Sequence, residues 1–540
     1  MSLLKKRPDS GALISVLILL VLLAYLIAFG IINFPGFAYF CTTDMYEDTL
    51  VARLMWEQKT LFPENFLFGN QFYVIATPVL AALFYGLCGS MNLAMGLATT
   101  VMSILILLSL NWMLKAFIKE AYVRYAALLA LVAASFGPQT VVREDGQLFF
   151  VMCSFYACYL ISFFFIMGDY VRARESSELR PVALIIALLL SFCTGMQSLR
   201  QTCVSMLPIL CFEALWQLRG WIKNRKLSLK SASSIRAIAY FAANVAGILF
   251  INLLGVKRNE IYYGQSIFSG ASFGAKLKDV HEALITVSGF DFTRGNSEFF
   301  FILIFLFNLL ICIAALFFLL RKKDLFSPAA CIWWLCIISI LGVIAASFVT
   351  SVSLRPIYLF PYYTLPALSI AVLSKKLKAG MFRLLSLVLC VVAAFNIYYS
   401  YGQDILLAVE PGEYETRLIS DYAIEEGYEY IYGSHSFTAP VIAAQSDGKL
   451  IAGCWDDEII FKVSPHINIK DIYYLNDYSK ALFVFLEREV PYALKEAAGN
   501  GAELKPVGKF GQYCLYTSDK QMMYPISENI YDSWFFPEYN

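Results

Sequence analysis

The sequence predicts an α-helical polytopic membrane protein, with about eleven transmembrane helices plus a juxtamembrane or re-entrant helix and a small α/β extracytoplasmic C-terminal domain. Three observations carry that prediction. Of 540 residues, 59% are hydrophobic and only 15% charged, whereas a soluble domain is about one quarter charged. The apolar residues gather into runs of bilayer length, and mean hydropathy reaches +0.63. Beyond about residue 403 the runs stop and charged residues return. Aromatic residues at 16% suit a chain with interfacial belts. A net charge of +1 gives no reason to expect a nucleic-acid partner. Three histidines are too few for a His-built metal centre, and thirteen cysteines, mostly inside apolar runs and without a CxxC, indicate neither a zinc site nor a disulfide framework. The absence of any Asn-x-Ser/Thr sequon favours a bacterial envelope.

The first run, Gly11 to Asn33, follows Lys5, Lys6 and Arg7. It is too long for a signal-peptide core and has no small-x-small cleavage site, so it reads as a retained span. Further runs lie at about 91–112, 125–141, 148–167, 182–196, 202–217, 237–255, 299–320, 329–349, 357–374 and 384–402. Segment 72–89 is shorter and broken by Pro78, Gly86 and Gly89. If it does not cross, one side of the membrane receives 22 Lys and Arg and the connecting segments of the other side only ten. The positive-inside rule places the richer side, and the amino end, in the cytoplasm. Were 72–89 to cross, every later basic loop would move outside, so it reads as a helix lying along or re-entering the outer interface. Residues 1–402 are then the membrane domain, with 34–90 as a first outer loop carrying juxtamembrane helices, and 403–540 an outer domain. Strand-like runs at 428–432, 449–453, 481–486 and 513–516 alternate there with helical ones at 413–426 and 490–498, the pattern of an α/β fold.

Ionisable side chains are scarce in the spans; Glu213 stands near a helix end, from which it could snorkel. A charge at mid-bilayer costs about 3 kcal/mol, so this scarcity counts against an ion-coupled transporter. The polar chemistry belongs at the outer surface, in four segments. In the first, Tyr46, Leu50, Val51, Leu54 and Met55 share one helical face, which predicts a helix flat on the bilayer. Asp44 and Asp48, four residues apart, share another edge and could take a proton from an incoming hydroxyl. Equally, Asp44 with Glu47 three residues on matches a capping box. The second segment holds Glu144 and Asp145, either ordinary loop charges or a second acid that orients substrate or holds a divalent cation through oxygen ligands. Arg200, in the third, needs an anion, and a lipid phosphate is the obvious one; interfacial anchoring is the alternative. The fourth brings Lys257, Arg258 and Tyr262, and Arg355 stands before the aromatic cluster at Tyr358 to Tyr363. Basic residues on the side that disfavours them suggest an anionic, membrane-embedded substrate.

An opening span followed at once by an acidic amphipathic helix resembles the GT-C class of membrane glycosyltransferases, nearest the bacterial aminoarabinose transferases and protein O-mannosyltransferases. The matching residues are Asp44, then Ala52-Arg53-Leu54-Met55, then Pro63; Met45 stands where that class has a Glu paired with the Asp. The resemblance covers the layout of roughly residues 1–300. It implies Asp44 as catalytic base, with Asp48 and Asp145 beside it. A polyprenyl-phosphate sugar would be the donor and a lipid, glycan or protein the acceptor, with inversion at the transferred sugar. Glu144, Arg200, Lys257, Arg258, Tyr262 and Arg355 would contact substrate. Trp56 could stack on a sugar ring. No cofactor is implied beyond an oxygen-bound divalent cation. Rival readings are a lipid-linked oligosaccharide flippase or other transporter, a surface-polysaccharide polymerase, and a non-catalytic envelope protein whose outer domain binds.

Overall fold

The computed structural model describes residues 10–523 apart from 65, 70, 135–148, 155, 176–179, 226, 257–272, 288–297, 322–326, 351–353, 437, 458, 463–477 and 521. In chain order the α-helices are α1 (Ser10–Asn33), α2 (Phe37–Phe40), α3 (Thr43–Gln58), α4 (Thr77–Cys88), α5 (Met91–Leu114), α6 (Ala121–Val132), α7 (Ala157–Glu175), α8 (Pro181–Gln197), α9 (Leu207–Asn224) and α10 (Ala232–Leu253). They continue with α11 (Phe273–Val287), α12 (Glu298–Arg321), α13 (Pro328–Val349), α14 (Phe360–Ser374), α15 (Ala379–Asn396), α16 (Gly402–Val409), α17 (Glu415–Glu425), α18 (Ala439–Gln445) and α19 (Val490–Gly499). Five strands, β1 (Tyr430–Ser434), β2 (Ile451–Trp455), β3 (Ala481–Leu486), β4 (Leu504–Phe510) and β5 (Tyr513–Ser518), complete the order. Among the described residues, seven helices are long and apolar enough to cross a membrane, including Gly11–Asn33, Met91–Leu114 and Ile302–Arg321. The chain is a multi-pass membrane protein. Helix α4 has twelve residues, about 18 Å of rise against a hydrocarbon core of about 30 Å.

The chain divides into two compact units. One comprises Met1–Gly30, Thr100–Leu254 and Gln265–Ile405; the other, Ile31–Thr99, Gly255–Gly264 and Leu406–Asn540.

In the first unit, apolar helices are joined where small residues and polar side chains allow close approach. Gly195 on α8 lies against the Asn244 carbonyl of α10, and Gly247 on α10 against the Phe192 carbonyl of α8, with no room for a Cβ at either position. Asn244 reinforces the crossing by donating to the Ser191 carbonyl at 2.9 Å. The Tyr25 hydroxyl of α1 donates to Asn396 Oδ1 of α15 at 2.7 Å, and Trp333 Nε1 of α13 to Ser369 Oγ of α14 at 3.0 Å. Glu213 does not snorkel. It is buried and accepts from Tyr170 at 2.6 Å, Gln217 at 2.8 Å and Ser234 at 2.5 Å, so its own and two neighbouring helices supply the donors that headgroup water would have supplied. Helix α7 also runs further than hydropathy marks it. Its Asp169 is buried and paired with Arg236 Nε at 3.1 Å.

The second unit contains a five-stranded sheet in the order β2-β1-β3-β5-β4. Strands β2, β1 and β3 run parallel, while β5 is antiparallel to β3 and to β4. Every residue of β3 is buried, as expected of a central strand covered on both faces. Aromatic rings fill the core, with Tyr432 stacked on Phe483 at 4.9 Å and Trp455 on Phe485 at 5.0 Å. Strand β4 and helix α18 escape the sequence reading. Lys505, Pro506, Gly508 and Lys509 break any alternating pattern in β4, and Pro and Lys belong at a sheet edge, where β4 lies.

Helix α3 belongs to this unit, and its apolar stripe is covered by protein: Tyr46, Leu50, Val51 and Met55 are buried. The expectation that this face rests on lipid is therefore corrected. Helix α4 packs against α3, and residues 439–452, remote in sequence, also contact it. Tyr46 Oη accepts from the Ala452 amide of β2 at 2.8 Å, and Arg53 Nη1 donates to the Gly448 carbonyl at 2.6 Å. Trp56 is likewise engaged, its ring against Gly86 and under Lys59 Nζ at 3.1 Å.

Candidate functional site

Helix α3 begins right after the opening span. Thr42 is extended (φ −95°, ψ 176°) and occupies the N-cap, so Asp44 lies inside the first turn. The capping box read from Asp44 and Glu47 is not formed, because that box needs its first residue at the N-cap, which Thr42 occupies. Asp44 still sits where the positive end of the helix dipole favours a carboxylate, and it is exposed.

One turn on, Asp48 is only 1% exposed. Burial raises its pKa well above the ordinary carboxyl value, and the neighbouring Glu47 and Asp44 raise it further; the Tyr73 phenol opposes them and loses. Neither Asp48 oxygen has a hydrogen bond of good geometry. Burial of this kind favours the protonated form of a carboxyl. One helical edge thus presents an exposed acid and a buried one whose pKa is raised, and the four-residue spacing anticipates the shared edge.

Two further groups stand here that the sequence reading missed. His435 Nε2 is 3.7 Å from Glu47 Oε1, and the His435 carbonyl accepts from Thr43 Oγ1 at 2.9 Å. His435 directly follows β1, the strand from which neighbours depart in both directions (β2 to one side, β3 to the other). The carboxyl end of such a strand is where α/β sheets place ligand groups. A polar Ser-His-Ser turn after a predicted strand was the available signal. Tyr73 carried none; only the folded chain turns it to Asp48.

In the membrane unit, Arg200 precedes the π-helical turn Thr202–Met206. Its guanidinium carbon stands 4.9 Å from the Tyr358 ring centre, 5.1 Å from Tyr156 and 5.9 Å from Tyr159, and Nη2 reaches Tyr358 Oη at 3.5 Å. Three aromatic faces fix the cation's direction. Arg355 is exposed at the cap of the 3-10 turn Pro356–Leu359 that carries Tyr358. Asp145, Glu144, Lys257, Arg258 and Tyr262 lie outside the described residues. Among the described residues no three His, Cys, Asp or Glu side chains are grouped to hold a metal ion.

The overall course of the chain matches a crystal structure of ArnT from Cupriavidus metallidurans bound to undecaprenyl phosphate, with a TM-score of 0.56 over 96% of this chain and 100% of that one at 12% identity. The chain has a GT-C-type fold. An apo structure of the same ArnT matches with a TM-score of 0.54 at 13% identity, over 94% of this chain and 98% of that one. No family model and no curated protein matches the sequence. The GT-C-type layout drawn from the first loop is therefore borne out in the fold, although so few residues are shared. In that fold α3 follows the opening span after only the single-turn α2, and it carries the two carboxyls described above.

Proposed function

We propose that the protein transfers a sugar from a polyprenyl-phosphate donor to a cell-envelope acceptor at the outer face of the membrane, with inversion at the anomeric carbon. The observation that carries this reading is the pair on α3: an exposed Asp44 one turn before a buried Asp48 whose pKa is raised, shortly after the opening span of a GT-C-type fold. The solved relative whose printed description includes undecaprenyl phosphate supports the choice of donor. The orientation with the amino end in the cytoplasm and the α/β domain outside rests on the distribution of Lys and Arg.

In this reading Asp44 accepts the proton of the acceptor hydroxyl as its oxygen bonds to the anomeric carbon. The bond from that carbon to the phosphate oxygen breaks on the opposite face, and its electron pair leaves with the polyprenyl phosphate. Phosphate is a good leaving group, so the reaction needs charge stabilisation more than a strong acid. Arg200, steered by its tyrosines, supplies such a charge, and Lys257, Arg258, Tyr262 and Arg355 are assigned to donor contact. Burial disfavours a charge on Asp48, so the exposed Asp44 is assigned the role of base. Asp145, with Glu144, is assigned to orient the acceptor or to bind a divalent cation through oxygen; no step above depends on that cation.

The test is incubation of the purified protein with labelled polyprenyl-phosphate sugars, scoring sugar transfer and release of lipid phosphate. Transfer that is abolished in a normally folded Asp44→Asn protein supports the reading. Transfer at the wild-type rate in that variant removes Asp44 from the chemistry.

A further inference from the structure

The membrane unit contains a second polar feature that the transfer reaction does not use. A cavity of about 570 Å³ opens among the ends of α5, α7, α12 and α14 and the start of α13. Lys115, Lys119, Lys375 and Lys376 line it, with Glu175 as the sole acid among its described lining residues. Its remaining wall is largely apolar, including Phe117, Leu319 and Val372. Lys115, Lys119 and Lys375 are exposed, so their ammonium groups are within reach of a ligand. All four lysines fall in connections that the Lys and Arg count assigns to the cytoplasmic side.

We propose that this cavity binds the phosphate headgroup of an anionic phospholipid. Among the described residues, four ammonium groups against one carboxylate leave a net positive site that suits a phosphate. Apolar wall beside the lysines suits an acyl chain better than it suits a free ion. The cavity also lies where bilayer-length helices end, Met91–Leu114 and Ile302–Arg321 among them, which is the depth of a lipid headgroup. Basic pockets between helix ends at the cytoplasmic surface are built for such lipids. The opening turn of α13, Ser327 to Ala329, adds a dipole end of the same sign. Glu175 works against the headgroup and sets how tightly it is held.

The experiment uses the full chain purified in a neutral detergent and titrated separately with short-chain phosphatidylglycerol, phosphatidylcholine and inorganic phosphate, reading binding and the thermal midpoint. Phosphatidylglycerol is expected to bind and raise the midpoint, with little response to the other two. A Lys115→Gln, Lys119→Gln, Lys375→Gln, Lys376→Gln protein should bind it about tenfold more weakly, and Glu175→Gln should bind it more tightly. An equal response to phosphatidylcholine, or unchanged affinity in the quadruple variant, overturns the proposal. A response to inorganic phosphate matching that to phosphatidylglycerol makes the occupant a free anion and overturns the lipid assignment. If the quadruple variant does not fold, Glu175→Gln decides alone: unchanged affinity there is equally fatal. None of these outcomes depends on the sugar-transfer reading.

Discussion

Thr43 donates its hydroxyl hydrogen to the His435 carbonyl at 2.9 Å, across nearly four hundred residues of sequence. The bond ties the first turn of the acidic helix to the carboxyl end of β1. Together with the Tyr46 and Arg53 contacts, it makes the late α/β segment a support for α3. Thr43→Val keeps the shape and removes the donor, so it should cost about 1 kcal/mol of stability. Denaturant unfolding of the purified protein measures this, and a loss indistinguishable from zero would show that the contact is incidental.

The buried carboxyl has a predictable effect on stability. Because the folded-state pKa of Asp48 is raised, folding takes up a proton there, and stability is lost as pH climbs from the ordinary carboxyl range toward the raised value. Asp48→Asn removes that penalty. Its stability advantage over wild type should be small near about pH 4 and grow toward about pH 8. Thermal midpoints across that range test the sign, and an advantage that shrinks with rising pH would contradict the burial argument.

For Asp44 the expectation is kinetic. Asp44→Asn should reduce sugar transfer by about 10²- to 10⁴-fold, the usual contribution of a positioned base. Asp44 is exposed, so its thermal midpoint should stay near wild type. A large drop in midpoint would mean that the carboxylate serves the helix rather than the reaction.

Arg200 and Tyr358 should behave as a unit. Arg200→Lys preserves charge but loses the planar group that lies among the three rings, so transfer should fall by about tenfold or more. Tyr358→Leu, which removes the nearest ring at 4.9 Å, should weaken donor binding in the same direction. A double variant no worse than Arg200→Lys alone would confirm the shared role, whereas fully additive losses would separate the two.

At the α8–α10 crossing, Gly247→Ala places a methyl group against the Phe192 carbonyl. Overpacking of this kind costs about 1–3 kcal/mol, and the folded yield in detergent should drop. Alanine at Gly274, where a Cβ meets nothing within 4 Å, is the matched control and should be neutral.

By itself the sequence determined what is local. Hydropathy marks the apolar helices because a bilayer solvates each side chain according to its own chemistry. The four-residue spacing puts Asp44 and Asp48 on one edge of α3 because helical geometry is fixed. Alternation found β1, β2, β3 and β5 within a few residues. What only the tertiary structure decided is coverage. Whether Asp48 is wet or buried depends on which residues lie over it, and so does the fate of the α3 stripe, closed by protein instead of lipid. Glu213 is held by Tyr170 and Ser234, which no periodicity around residue 213 reveals, and β4 is a strand only because β5 offers it an edge. Burial is a property of pairs far apart in the chain, and the pKa of a carboxyl follows burial.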